Sequence, residues 1–404
     1  MSGSAATNRR AIRRLAASRL VSITGSWAAN VALAYVIYQR TGSAVWVSAL
    51  YLFTFGVMGF VQPLAGALAD RRDRRRLMIV SELLNGAAWV VLVFVHAPWL
   101  MIACAFAGSF AAAPFNAASA AAVPNLAAAE DLSWANSQIS LGRSVGATVG
   151  PALGGLLVAL VGGPVTFALN ALSFLVSAAL IWSATGVYTA VERGGDEAEF
   201  RGLAAGLRQI VRSDVLLPIF GGSTIMWFAM NIAIPADPPL ARHFGVGSIG
   251  FGLIDATFGA GAILGALLAR RLTPRWEPGA ILLGAVGVVA GYLLVGVTSL
   301  FAFVLVGQAV SSLVDNVGLV ASDNVVQRLC PDAVRGRVFA VITMAGCIVS
   351  LVAFAGAGFL IDALGPQGTY LLGAATGVAG ALVMLPGLRR LRRAATDEPM
   401  LRDA

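Results

Sequence analysis

Apolar runs of about 20 residues follow one another along the chain, separated by short polar breaks, and the pattern predicts twelve membrane-crossing helices. They fall at about 17–39, 44–69, 77–96, 99–122, 133–160 and 165–185, then at about 213–236, 248–271, 279–297, 300–325, 336–361 and 366–387. Between the two sets lies one long polar stretch, 186–212, with Glu192, Asp196, Glu197 and Glu199. The expected organisation is a six-helix bundle over 1–185, a cytoplasmic linker over 186–212, and a second six-helix bundle over 213–404 with a short basic tail. Arg208 and Arg212 belong to an expected short amphipathic helix lying on the inner leaflet. The runs are long and continuous, which argues for an all-α membrane protein and against a β-barrel of short alternating strands.

Composition strengthens this reading. The chain is 58% hydrophobic and only 12% charged, against roughly 25% charge in soluble domains. Lipid is therefore the solvent for most of its surface. All 28 basic residues are arginine, and they are not spread evenly. With the N-terminus inside and the helices alternating, 25 of the 28 fall on the inner side, including Arg9, Arg10, Arg13, Arg14 and Arg19. Arg40 and Arg242 fall outside and Arg143 within a helix. Short arginine-rich loops stay in the cytoplasm, so both termini are expected there, in a multi-pass protein of the inner (plasma) membrane. The first helix reads as an uncleaved span. The net charge of +8 is thus a topology signal, and no nucleic-acid partner is expected.

Several chemistries find no support. Cys104, Cys330 and Cys347 form no C-x-x-C pair, and His96 and His243 sit in expected loops, so no metal site, disulfide or cofactor is expected. Gly245-x-Gly247-x-x-Gly250 spells a dinucleotide fingerprint, but it follows no strand. No phosphate-binding Walker sequence occurs, which argues against ATP-driven transport.

Three features carry candidate chemistry. The first is the loop after the second helix, Leu64-Ala65-Gly66-Ala67-Leu68-Ala69-Asp70-Arg71-Arg72-Asp73-Arg74-Arg75-Arg76. The second is the fifth helix, where Gly142, Gly146, Gly150 and Gly154 recur every four residues, with Pro151 and Gly155 beside them. Such a stripe bares backbone for close helix approach, and the eighth helix, with Gly259, Gly261 and Gly265, is the expected partner. The third is a set of intramembrane charges: Arg143, Asp255, Asp315 and Asp323. A charge at the bilayer centre costs ~2.5–3.5 kcal/mol, so each needs a cavity or a partner. Asn30, Tyr35, Asn116, Asn231, Gln308 and Asn316 are uncharged cavity candidates. The loop segment 64–71 also matches 264–271 at four of eight positions, which suggests an internal repeat with a shift of 200.

The pattern Gly-x-Leu-Ala-Asp-Arg-x-x-Arg-Arg resembles the loop signature of major facilitator superfamily transporters, and Gly150-Pro151-Ala152-Leu153-Gly154-Gly155 resembles the fifth-helix signature of their antiporters. Residues 119–157 look like the branch containing bacterial macrolide-efflux and enterobactin-exporting proteins. The resemblance implies two pseudo-symmetric six-helix bundles. It also implies a gating latch made by Gly66, Asp70, Arg71, Arg74 and Arg75. Asp73 stands where that family has a glycine, and it is expected to tolerate the left-handed turn there. The function implied is secondary, proton-coupled export of a bulky, largely apolar small molecule such as a drug, antibiotic or siderophore. Asp315 is the favoured proton carrier, with Arg143 as its partner. The helix-4 arginine usual in drug–proton antiporters is absent from 99–122. Import of a nutrient is the alternative within the fold, and a non-transporting sensor the alternative outside it. No enzymatic role is expected, and the protein is expected to act as a monomer among membrane lipids.

Overall fold

The first span, Arg9–Thr41, starts earlier than its apolar run because Asn8 caps it, accepting from the Ala11 backbone at 3.0 Å. The computed structural model describes residues 7–184, 186, 188 and 199–397. The second span is α-helical over Ala44–Tyr51, passes through a π-turn at Leu52–Gly56, and resumes as Met58–Arg71. Asp73 caps the third span, Arg74–Phe94, by accepting from the Arg76 backbone at 2.7 Å. The fourth is Pro98–Leu126. The fifth and sixth form one 52-residue stretch, Leu132–Ser183, broken at Gly162.

An amphipathic helix, Glu199–Arg212, follows where the linker was expected. Glu192, Asp196 and Glu197 lie outside the described residues. The seventh span, Leu216–Ala233, ends in a turn at Ile234–Ala236 and a short helix, Asp237–His243. Prolines 235, 238 and 239 enforce that break. His243 therefore closes a helix rather than lying in a loop. The eighth to tenth spans are Gly247–Ala269, Glu277–Val297 and Phe301–Leu329. The eleventh and twelfth share Asp332–Asp397, broken at Gly365. Ten apolar helices are long enough to cross a membrane, and two of the ten break midway, so the described residues make twelve passes.

The chain divides into two compact units, Met1–Gly195 with Val246–Ala256, and Asp196–Gly245 with Thr257–Ala404. Within the first, span one packs along the fifth and sixth, and span three along the fourth and sixth. Within the second, the seventh span packs on the last two, and the ninth on the tenth and twelfth.

The repeat is real, but its register is 203, not 200. Gly42 and Gly245 close the first and seventh passes with φ of 66° and 67°. Asp73 and Trp276 both stand at N-caps, Val95 and Thr298 at C-caps, Ala97 and Leu300 at N-caps, and Ala127 and Cys330 at C-caps. Gly162 and Gly365 break the long helices with φ of 80° and 75°. Thr166 and Thr369, 203 positions apart, each donate to the carbonyl of that glycine at 2.9 Å. The ring pair Trp89–Phe167 recurs as Tyr292–Tyr370. The Leu/Ala-rich match at 64–71 slipped by three residues because such composition scores in almost any register.

Candidate functional site

The arginine loop anchors the first unit rather than hanging free. Arg74 is buried, with one Nη1 bond to the Ala121 carbonyl at 2.7 Å. Arg75 donates from Nε to the Ile181 carbonyl at 3.3 Å and from a terminal nitrogen to the Trp182 carbonyl. Arg14 reaches the Ser183 carbonyl. Trp182 and Ser183 end the sixth span, so their carbonyls lack helical partners, and Arg75 and Arg14 satisfy them where positive charge is favoured. Asp73 adopts φ −58°, ψ 114°, so no left-handed turn forms there; the aspartate caps the next helix instead. Arg71 is exposed, a Cβ at Gly66 would meet open space, and the Asp70 side chain lies outside what is described. Nearby Tyr188 is buried, which pushes its phenol above the ordinary value against the pull of Arg75 and Arg14.

The helix-5 glycines face the first span, not the eighth. A Cβ at Gly142 would lie 2.8 Å from the Ala16 carbonyl, one at Gly146 3.0 Å from Thr24, and one at Gly150 2.8 Å from the Thr24 carbonyl. At Gly154 it would strike the Ala28 backbone. Gly155 alone turns to the start of the eighth span, meeting Ser248 and Gly252, and Ser248 donates to its carbonyl at 2.9 Å. Gly261 and Gly265 pack on the tenth span, at Ala309 and Leu313. The stripe thus seats one helix against another at backbone distance.

That close seating brings a polar cluster together in the first unit. Arg19 is no flanking arginine: it is 8% exposed, donates from Nη1 to Asn116 at 2.6 Å and lies over the Phe115 ring. Glu82, 3% exposed, accepts one bifurcated hydrogen bond from the Ser22 hydroxyl, at 3.2 and 3.3 Å to its two oxygens. Ser18 and Ser177 share a hydrogen bond of 2.9 Å. Arg143 is exposed, within electrostatic range of Arg19.

The second unit instead encloses a cavity of about 440 Å³. Phe220, Met226, Trp227, Met230, Phe258 and Ile342 are among the apolar residues of its wall, while Asp315, Asn316 and Asp323, with the hydroxyls of Ser223, Thr224 and Ser322, add polarity. Its size is that of small-molecule pockets generally. Ile210 of the amphipathic linker helix also lines it. Asn231 and Gln308 are buried in packing: Asn231 bonds the Trp227 carbonyl at 2.8 Å, and Gln308 donates to Tyr370 at 2.9 Å, which in turn donates to Asp237. Asn316 and Asn30 each bond the carbonyl one turn back, Ser312 and Ser26. Tyr35 and Asp255 are half-buried in the first unit. Among the described residues no group of His, Cys, Asp and Glu is suited to a metal.

Sequence reasoning missed Glu82 and misread Arg19. Glu82 was the legible one: it is the sole acid in the third apolar run.

A family model described as "transmembrane secretion effector" matches residues 1–398. An uncharacterised major facilitator-type transporter of Bacillus subtilis (strain 168), YfiS, is 28% identical over 399 residues, covering 94% of this chain and 92% of that protein. The putative bacilysin exporter BacE of Bacillus amyloliquefaciens is 25% identical, covering 73% and 75%. The enterobactin exporter EntS of Escherichia coli O1:K1 / APEC is 25% identical, covering 81% and 80%. Among solved structures, a bacterial homologue of the human lysosomal transporter Spinster, inward-facing and unoccupied, matches with a TM-score of 0.71 at 14% identity, covering 96% of each chain.

Proposed function

The chain belongs to the transmembrane secretion effector family of the major facilitator superfamily, and on that premise we propose that it exports a bulky, largely apolar small molecule in exchange for protons. One observation carries the reading of the cargo: the second unit's cavity of about 440 Å³ is walled by aromatic, Met and Ile side chains and has only a few polar groups. Apolar walls bury a hydrophobic cargo, and the few polar positions orient it. Relatives named as exporters of bacilysin and enterobactin support the outward direction. Both termini face the cytoplasm in this reading, as the arginine bias requires. The Asp70–Arg71 loop latches the two bundles on that side when the cavity opens outward. The test is accumulation of bulky apolar antibiotics in pump-deficient cells with and without the protein, before and after the proton gradient is collapsed. Lower accumulation that disappears with the gradient is expected. Raised accumulation of every transported compound means import and overturns the reading.

A further inference from the structure

The 203-residue register puts both units on one scale, so each wall position of the cavity has a counterpart in the first unit. Ala285, Gly318 and Leu319 line the cavity. Their counterparts, 203 positions earlier, are Glu82, Phe115 and Asn116. Three positions that wall the void in the second unit thus correspond to Glu82, to the ring under Arg19 and to the amide that Arg19 bonds. One half sets small or apolar residues around a cargo-sized void, and the other sets a carboxyl and the partners of a guanidinium at the same positions.

The chemistry there is unbalanced. Glu82 is 3% exposed, and the Ser22 hydroxyl is its hydrogen-bond donor, with Ser177 also in reach. Arg19 spends Nη1 on Asn116, and its Nε is buried without a hydrogen-bond partner. Among the described residues no ion pair joins Arg19 to Glu82. A carboxylate buried with hydroxyls alone is costly, and such a group holds a proton instead. A buried guanidinium with a free Nε stands ready to take a carboxylate once one forms. The charged neighbours are Arg19 on the first span and Arg143 on the fifth, while the fourth and sixth spans bring the neutral Asn116 and Ser177.

We propose that Glu82 is the exchangeable proton-binding site of this protein, with Arg19 as the counter-ion it meets when the proton leaves. A proton from the outer side adds to the Glu82 carboxylate, giving a neutral acid beside Ser22. Its loss to the cytoplasm regenerates the carboxylate, and Arg19 turns its unpartnered Nε to Glu82 while Nη1 stays on Asn116. The role of this site in export rests on the proton-exchange reading above; proton binding itself does not.

Infrared difference spectroscopy of the purified protein, stepped from acid to alkaline pH, tests the site without any cargo. The carbonyl stretch of one buried carboxyl is expected to vanish on the alkaline side in wild type. It should be missing throughout in E82Q, shifted in E82D, and retained in D315N. R19Q should keep the carboxyl protonated to higher pH, which a purely structural role for Arg19 would not do. A titrating band unchanged in E82Q overturns the proposal, as does its loss in D315N instead. In proteoliposomes, E82Q should slow gradient-driven rhodamine 6G movement by about tenfold or more relative to wild type, with gradient-free exchange kept within about twofold. Wild-type gradient-driven rates in E82Q count against the site. If wild type shows the titrating band and no gradient-driven movement of any compound, the export reading falls and the proton site stands.

Discussion

At the scale of single residues, the sequence marks where charge is expensive but not which charges meet. Arg143, Asp255, Asp315 and Asp323 stood out because each interrupts an apolar run. Arg19 did not, because it follows Arg9, Arg10, Arg13 and Arg14 and reads as part of the same basic flank. Its burial depends on Asn8 starting the helix early, so that residue 19 lies about 15 Å along the axis. Backbone contact is likewise invisible in a glycine's letter. Gly66 and Gly154 both belong to family-like signatures, yet a Cβ at Gly66 meets nothing and one at Gly154 meets the Ala28 backbone. Gly154→Ala should therefore lower stability by ~1–3 kcal/mol, as overpacking does, while Gly66→Ala, in a helix interior with room for a methyl, should raise it by up to ~1 kcal/mol. Thermal unfolding of both variants in detergent checks this, and equal midpoints would contradict the packing described. Asp73→Ala removes an N-cap and should cost about 1 kcal/mol by the same measurement, where a mere topology signal would cost nothing.

At the scale of elements, the apolar runs located every span, because lipid imposes a length on each helix that no packing detail can change. Helix irregularities were less legible. The π-turn at Leu52–Gly56 leaves no mark in hydropathy, since its five residues are as apolar as their neighbours. The proline-rich end of the seventh span is plain afterwards from residues 235, 238 and 239, but the apolar run hid it. The repeat was detectable, and its register was not, because caps and positive-φ glycines fix register while Leu and Ala do not. Gly365 has open space around a potential Cβ, so only backbone strain opposes a side chain there. With φ 75° and ψ 169° it lies in a region essentially reserved for glycine, so Gly365→Ala is expected to cost ~1–3 kcal/mol from backbone strain alone. Hydrogen exchange should show local opening confined to the turn between the last two spans. Opening spread through the whole second unit would show that the glycine serves packing instead.

At the scale of the whole molecule, the fold and family were readable from helix count, arginine bias and two short signatures, and the family match over residues 1–398 bears them out. The chemistry was less readable, because the buried cluster and the cavity are made by residues from several spans whose meeting no single stretch encodes. The gating role proposed for the loop belongs to this scale too. Asp70→Asn is expected to lower the yield of a cross-link between cysteines introduced at the cytoplasmic ends of the second and eleventh spans, in a background lacking Cys104, Cys330 and Cys347. An unchanged yield would remove the gating role and leave the loop its capping and anchoring contacts. Outward movement of cargo is the central functional claim. Its most direct test is uptake of a fluorescent hydrophobic compound, rhodamine 6G, into everted membrane vesicles with the lumen acidified. The account predicts accumulation in the lumen that is fast with the protein, collapses when a protonophore is added, and falls about tenfold or more in the E82Q variant. Uptake that is unaffected by the protonophore, or net movement from lumen to medium, would contradict it.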